Sequence, residues 1–171
     1  MSTAVLSIGS NLGDRVALLQ SVLDELATRV RAVSGVYETD PWGPVPQQAF
    51  LNAVVIAEDD LDPIGWLELG QRIEQAAGRV RELHWGPRTL DVDVITVGDP
   101  APVRCDTERL TLPHRYARER AFVLVPWLDA DPAAELEVDG VLRPVAELAA
   151  ALGPDERAAV RATEWELRRC G

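Results

Sequence analysis

Two aspartates, Asp91 and Asp93, alternate with Leu90, Val92 and Val94. Alternation of this kind predicts a half-buried β-strand. Residues two apart on a strand share a face, so both carboxylates point the same way, with Cα atoms about 7 Å apart. Like charges side by side weaken a sheet, and a divalent cation is the natural counter-charge. Mg2+ takes carboxylate oxygens and completes its shell with waters and substrate phosphates. Arg88 precedes the strand, in a turn set by Gly86-Pro87, and its planar fork matches phosphate oxygens. This combination points to nucleotide phosphate chemistry. A bare Asp-x-Asp, by contrast, is more often a solvated strand edge, because short motifs recur by chance.

The full stretch from His84 to Ile95, His-Trp-Gly-Pro-Arg-Thr-Leu-Asp-Val-Asp-Val-Ile, is long and chemically mixed, and so far more specific. It resembles the signature of the 6-hydroxymethyl-7,8-dihydropterin pyrophosphokinase family of folate biosynthesis. That pattern is a basic residue, any residue, Gly-Pro-Arg, two residues, Asp-aliphatic-Asp and two aliphatics. A second region, Leu112-Pro113-His114 followed by Arg120-Ala121-Phe122-Val123-Leu124, resembles the family's L-P-H and R-x-F-x-L. Phe50-Leu51-Asn52-Ala53 resembles its aromatic-Leu-Asn-Ala, and Gly9-Ser10-Asn11 the G-S-N that ends its first strand.

The resemblance implies an enzyme that moves the pyrophosphoryl group of ATP onto the hydroxymethyl oxygen of 6-hydroxymethyl-7,8-dihydropterin, releasing AMP. It implies two Mg2+ ions held by Asp91 and Asp93, with Arg79 and Arg88 meeting the charge that develops during transfer. ATP is implied to lie against Gln71, Glu74, Arg79, Arg81 and Trp85 ahead of the strand, and against Arg88 and Val94 at it. Beyond the strand, Arg109, Thr111, His114 and Arg120 are implied to touch ATP. The pterin is implied to lie against Thr39, Pro41 and Trp42, with Phe50, Asn52, Asp91 and Phe122. Here Phe50 stands where the family often has Tyr, His84 where it often has Arg, and Arg115 where it often has an aromatic residue.

Each residue also has a plainer reading. Asn52 sits in an apolar run and needs a partner, which nearby backbone could supply as well as a flat heterocycle. Trp42 could anchor its loop. Glu74 and Arg81 could be a solvated surface pair, worth little. Residues 115–120 could be a solvated basic helix. Two other functional classes remain in view. A nucleotidyltransferase also uses Gly-Ser and Asp-x-Asp, but close together, whereas Ser10 and Asp91 are 81 residues apart. A catalytically silent pterin- or nucleotide-binding module is the other.

Composition narrows the partners. The 171 residues suit a single domain (1–171, core about 4–150, charged tail about 154–171), with 47% apolar and 26% charged residues. No apolar run is long enough to span a membrane. The first residues show no signal-peptide pattern. Two cysteines without C-x-x-C spacing fit a reducing compartment, so a cytoplasmic protein is expected, and it is taken as a monomer. A net charge of −11 speaks against nucleic acid. Residues 72–120 hold nine of the 17 arginines against eight acids, giving +1 there and leaving −12 for the rest. An anionic ligand is thus received in the middle of the chain. There is no lysine, which excludes a P-loop and Schiff-base chemistry.

These residues need elements to position them. Strands are expected at 4–8, 32–39, 50–57 and the Asp-x-Asp stretch. A first helix is expected over 14–31, from the spacing of Val16, Leu19, Leu23, Leu26 and Val30, with Asn11 or Asp14 as N-cap. A second opens at Asp62-Pro63 and ends at Gly78. The loops 40–49 and 79–88 are expected to border the site. Short extended segments fall in 103–112, a hairpin about Asp139-Gly140, and a short helix from Pro144 to about 152. Trp165 and Leu167 are candidates to dock the tail. The order β-α-β-β-α-β predicts an α+β ferredoxin-like sandwich with a mainly antiparallel sheet and long active-site loops.

Overall fold

The computed structural model of the chain describes residues 1–41, 44, 46–78 and 89–170. β1 (Ser2–Ser10) leads to α1 (Arg15–Leu26), then to β2 (Val30–Val33) and β3 (Tyr37–Thr39). β4 (Phe50–Asp59) is followed by α2 (Pro63–Ala76) and β5 (Asp91–Gly98). With β10 (Val160–Ala162) they form one six-stranded sheet in the order β10-β3-β4-β1-β5, β2 also pairing with β4. Every pairing is antiparallel. β4 and β5 flank β1, which is the split β-α-β of a ferredoxin-like sheet, as expected.

Local chemistry sets the helix starts. Asp14 accepts from the Ala17 N–H at 3.1 Å and Asp62 from the Gly65 N–H at 2.7 Å, with Pro63 at the first helical position. Gly78, at φ +74°, ends α2. α1 stops at Leu26, short of the expected 31. Ala27, at φ +52°, turns the chain, and Val30 pairs with Ala57 as the first residue of β2. A buried strand residue at the right distance mimics the next helical position. The expected strand over 32–39 is interrupted at Ser34, whose Oγ accepts from the Val54 N–H at 2.9 Å in place of a backbone oxygen.

The sheet buries both faces. On one, Leu19, Leu23 and Leu26 of α1 and Trp66 and Ile73 of α2 pack on Leu6, Ile8, Leu51, Val55, Val92 and Val94. Gly70 lets α2 lie close to β5, since a Cβ there would stand 3.1 Å from Val92. On the other face Val5, Val54 and Ile95 meet Val123, Leu124 and Trp127 of α3 (Ala121–Ala130). Ile95 faces the α3 side by alternation from Val92 and Val94, and the register shift beside it re-phases the strand so that Val97 returns to the α2 side. α3 was not expected: its sequence is apolar nearly all round and contains Pro126, so it shows no helical period.

The remaining elements are small. β6 (Cys105–Asp106) pairs with β7 (Thr111–Leu112), within the expected extended stretch. β8 (Glu135–Val138) and β9 (Val141–Pro144) form the predicted hairpin, with Asp139 at φ +51° and Gly140 at φ +81°. α4 (Val145–Ala150) and α5 (Pro154–Ala158) follow. The tail is more than a charged end: β10 adds an edge strand on β3, and Leu167 joins the main core at 8% exposure. Trp165, at 44% exposure, does not dock it. Among the described residues, no helix is long and apolar enough to cross a membrane.

Candidate active site

Strand register brings the chemistry together. Asn52 of β4 pairs with Gly9 of β1, and Gly9 pairs with Asp91 of β5, so the three form one row across the sheet. Tyr37 of β3 extends the row beyond Asn52. On the next rows Ser7 pairs with Asp93, and Thr39 with Phe50. Directly paired residues share a face, and this is the face that carries α3. α3 covers the end at Val5, Val54 and Ile95, and the row lies toward the other end of the same strands. Phe122, in the first turn of α3, is half-buried against the α3 cluster.

The Asn52 side chain lies over Gly9. A Cβ on Gly9 would stand 2.6 Å from Asn52 Nδ2, so only glycine leaves room for it. Asn52 is 5% exposed, yet among the described residues its Oδ1 has no hydrogen-bond partner, and neither does the buried Thr39 Oγ1. An unmet buried polar group costs about 1–3 kcal/mol. Among the described residues, nearby backbone does not meet that oxygen. Asp91 and Asp93 are half-buried, while Val92 and Val94 between and after them are buried toward α2.

A cavity of about 400 Å3 lies beside β5, lined by α2 and residues 107–120. Gln71, Glu74, Val94, Arg109, Thr111, His114 and Arg120 all line it, as does Asp93. β5 ends the sheet, so its outer backbone edge faces other groups. Glu74 Oε2 accepts from the Val92 N–H at 3.1 Å, and the His114 N–H donates to the Ile95 carbonyl at 2.8 Å. Strand alternation puts the Val94 N–H and C=O on that edge too, facing the cavity. Glu74 is 5% exposed, so it is not the solvated surface group that the plainer reading made it.

The cations differ in their partners. Arg109 pairs with Glu68 at 3.3 Å on the surface. The Arg120 guanidinium lies 5.3 Å from the Tyr116 ring centroid and 5.4 Å from that of Phe122. No carboxylate among the described residues pairs with it, so its charge faces the cavity while its plane rests on rings. Residues 115–120 are not a basic helix: they contain only a short 3-10 turn at Ala117–Glu119. Sequence reasoning placed neither Tyr116 nor Glu108 at the cavity, and left Arg115 without a role; all three line it.

His114 is held neutral. Burial, helped by the nearby Arg120 charge, lowers its pKa from 6.5 to about 4. Its Nδ1 accepts from the Tyr116 N–H at 3.2 Å, leaving Nε2 as a donor. Since the folded pKa is depressed, the contribution of His114 to stability is full above pH 6.5. It is lost as pH falls and the unfolded chain takes up a proton that the folded chain refuses down to about 4. An NMR titration is expected to show one imidazole with its midpoint near 4 and no His114 transition between pH 6 and 8. A His114 midpoint near 6.5 would overturn the buried, neutral assignment.

The loop 40–49 is pinned at its later end. Asn11 Nδ2 donates to Gln47 Oε1 at 2.6 Å and to the Gln48 carbonyl at 3.1 Å, and Arg15 to the Ala49 carbonyl at 2.9 Å. Asn11 thus serves the loop, and Asp14 alone caps α1. Pro41 is half-buried where the loop begins. The expectations for Trp42, Arg79, Arg81, His84, Trp85 and Arg88 lie outside the described residues.

A ferredoxin-like domain that sets two aspartates beside a cavity lined by arginine and neutral histidine fits the class of phosphoryl-transferring enzymes. The family model of 7,8-dihydro-6-hydroxymethylpterin-pyrophosphokinase matches residues 5–132, and the chain belongs to that family. The 2-amino-4-hydroxy-6-hydroxymethyldihydropteridine pyrophosphokinase of Mycobacterium bovis is 51% identical over 168 residues, covering 94% of this chain and 89% of its own. The Mycobacterium leprae protein of the same name is 51% identical over 177 residues, covering 98% and 92%. A crystal structure of wild-type Plasmodium falciparum HPPK-DHPS with STZ-DHP superposes with a TM-score of 0.65 over 87% of this chain. This chain spans 43% of the Plasmodium one, and at 15% identity the likeness carries the fold alone.

Proposed function

We propose that the chain transfers the pyrophosphoryl group of ATP to the hydroxymethyl oxygen of 6-hydroxymethyl-7,8-dihydropterin, releasing AMP. The observation that carries this reading is the row Asn52–Gly9–Asp91, which ends beside the cavity that Asp93 shares with Arg120 and His114. Asn52 Oδ1 and Thr39 Oγ1 would take up the polar edge of the pterin, with Phe50 and Phe122 against its ring. The Val94 backbone edge would read the base of ATP, with Gln71 and Thr111 nearby. The neutral His114 would donate a hydrogen bond, and Arg120 and Arg109 would face anionic oxygens. Arg79, Arg81, Trp85 and Arg88 complete the ATP side, and Pro41 and Trp42 the pterin side, as the family resemblance implies.

In the reaction, the hydroxymethyl oxygen attacks the β-phosphorus of ATP. The bond from that phosphorus to the α,β-bridging oxygen breaks, AMP departs, and the hydroxyl proton passes to solvent. Catalysis of this kind is mostly positioning and charge neutralisation. Asp91 and Asp93 would hold Mg2+. Among the described residues no three His, Cys, Asp or Glu cluster into a cage of their own. A two-carboxylate donor set suits a cation that completes its shell with water and phosphate oxygens. Bound there, Mg2+ would neutralise phosphate charge and polarise the β-phosphorus. Arg79 and Arg88 would meet charge on the transferred group and on the departing AMP. We read the enzyme as a cytoplasmic, single-domain monomer acting on small molecules and not on nucleic acid.

Incubation with ATP, Mg2+ and the pterin is the test. AMP and a pterin pyrophosphate are expected in equal amounts. Release of inorganic pyrophosphate with a nucleotidylated product would make the chain a nucleotidyltransferase. Binding of both ligands with no turnover would make it a silent binding module.

A further inference from the structure

The segment from α5 to β10 lies beyond the family-model match, which ends at residue 132. It touches both walls of the proposed pterin pocket. Arg120, the N-cap of α3, provides no side-chain cap. The N–H of Ala121 is met instead by Glu156 Oε1 at 3.1 Å, from 35 residues away. Ala121 stands between Arg120 and Phe122. On the other wall, Val160 pairs with Thr39 and Arg161 with Glu38. The Arg161 guanidinium donates to Asp40 at 2.9 and 3.3 Å and to Glu38 at 3.1 Å. Thr39 is thereby flanked by two carboxylates tied to one arginine, and the Asp40 N–H donates to the Ala159 carbonyl at 3.2 Å just before Pro41.

The segment adds little to the core. α5 buries no residue, and Arg161 and Ala162 are exposed. Exposed ion pairs contribute little stability. The chain beyond it is anchored separately: Leu167 is buried in the main core, and Gln20 exchanges two hydrogen bonds with the Arg168 backbone at 2.8 and 2.9 Å. The contacts of Glu156 and Arg161 therefore set where two surfaces stand more than whether they fold.

We propose that Glu156 and Arg161 are positioning residues: the segment they belong to braces the first turn of α3 against the end of β3 and fixes the width of the pterin pocket. This rests on the functional reading above. Small misplacements of a bound substrate are costly, of order 10²-fold for about 1 Å. Arg161→Ala is expected to raise the pterin KM about tenfold through Thr39 and Pro41, with the ATP KM unchanged. Glu156→Ala, which frees the turn carrying both Arg120 and Phe122, is expected to raise both KM values. Glu156→Gln keeps an oxygen acceptor for the Ala121 N–H and should restore wild-type constants. Thermal midpoints should stay close to wild type in Arg161→Ala and Glu156→Gln, and fall by only about 2–8 °C in Glu156→Ala, where the Ala121 N–H loses its partner.

Unchanged pterin constants in both alanine variants, in an enzyme that turns over, would overturn the brace alone. So would a fall in thermal midpoint with all constants shifting together and no rescue by glutamine, which is the signature of a merely structural role. A wild-type protein with no turnover and no pterin binding would overturn the functional reading, and the brace with it.

Discussion

Replacing Asp93 by alanine is expected to lower kcat by at least about 10³-fold, ~4 kcal/mol of barrier. The folded protein should survive, because neither Asp93 nor Asp91 belongs to either hydrophobic cluster. Removing Asp93 takes a carboxylate from the cavity; removing Asp91 takes one from the row that includes Gly9 and Asn52. The two variants should therefore fail differently. Asp93→Ala should weaken binding of Mg2+ with an ATP analogue and leave pterin binding near wild type. Asp91→Ala should weaken both. Asp93→Asn keeps the shape and removes the charge, so it should be nearly as inactive as alanine. The checks are steady-state rates over an Mg2+ titration, ligand titrations and thermal unfolding. Activity near wild type in either alanine variant would remove the carboxylate pair from the chemistry.

How legible this was depends on the kind of signal. The pairing of Asp91 with Asp93 on one face was legible because strand periodicity is local: Val92 and Val94 had to face a core for the carboxylates to face away from it. The caps at Asp14 and Asp62 and the turn at Asp139-Gly140 were legible for the same reason. What failed was non-local. Val30 fits the α1 pattern by spacing, yet it is bound to Ala57 in the sheet. For Glu74 it was the plainer reading, a solvated surface group, that failed, since only the approach of β5 makes it a buried acceptor for the Val92 N–H. The tail read as charged and idle, because pairing of Val160–Ala162 with β3 requires a contact across some 120 residues. Tyr116 could not be placed at the cavity from its neighbours in sequence, since its contact with Arg120 depends on the 3-10 turn between them.

The row itself makes the last prediction. Asn52→Ala should weaken pterin binding by about 1–3 kcal/mol for each ring group left unmet, roughly 5- to 150-fold, with ATP-analogue affinity unchanged. Gly9→Ala should reach the same end without touching Asn52. Its new methyl group would stand 2.6 Å from Asn52 Nδ2, and no such contact survives in a real structure. The amide is the end of a short side chain, so it gives way more readily than the two paired backbones on which it rests. Displacing it moves Oδ1, the buried acceptor that has no partner among the described residues. Gly9 also pairs with Asp91, so a shift of β1 would be felt at the carboxylate as well. If the amide gives way first, the double variant Gly9→Ala with Asn52→Ala should bind pterin no worse than Asn52→Ala alone, a strongly non-additive cycle. Additive losses would mean that Gly9→Ala acts through the backbone and Asp91. Wild-type pterin affinity in Gly9→Ala would mean that Asn52 does not hold the pterin from its place over Gly9.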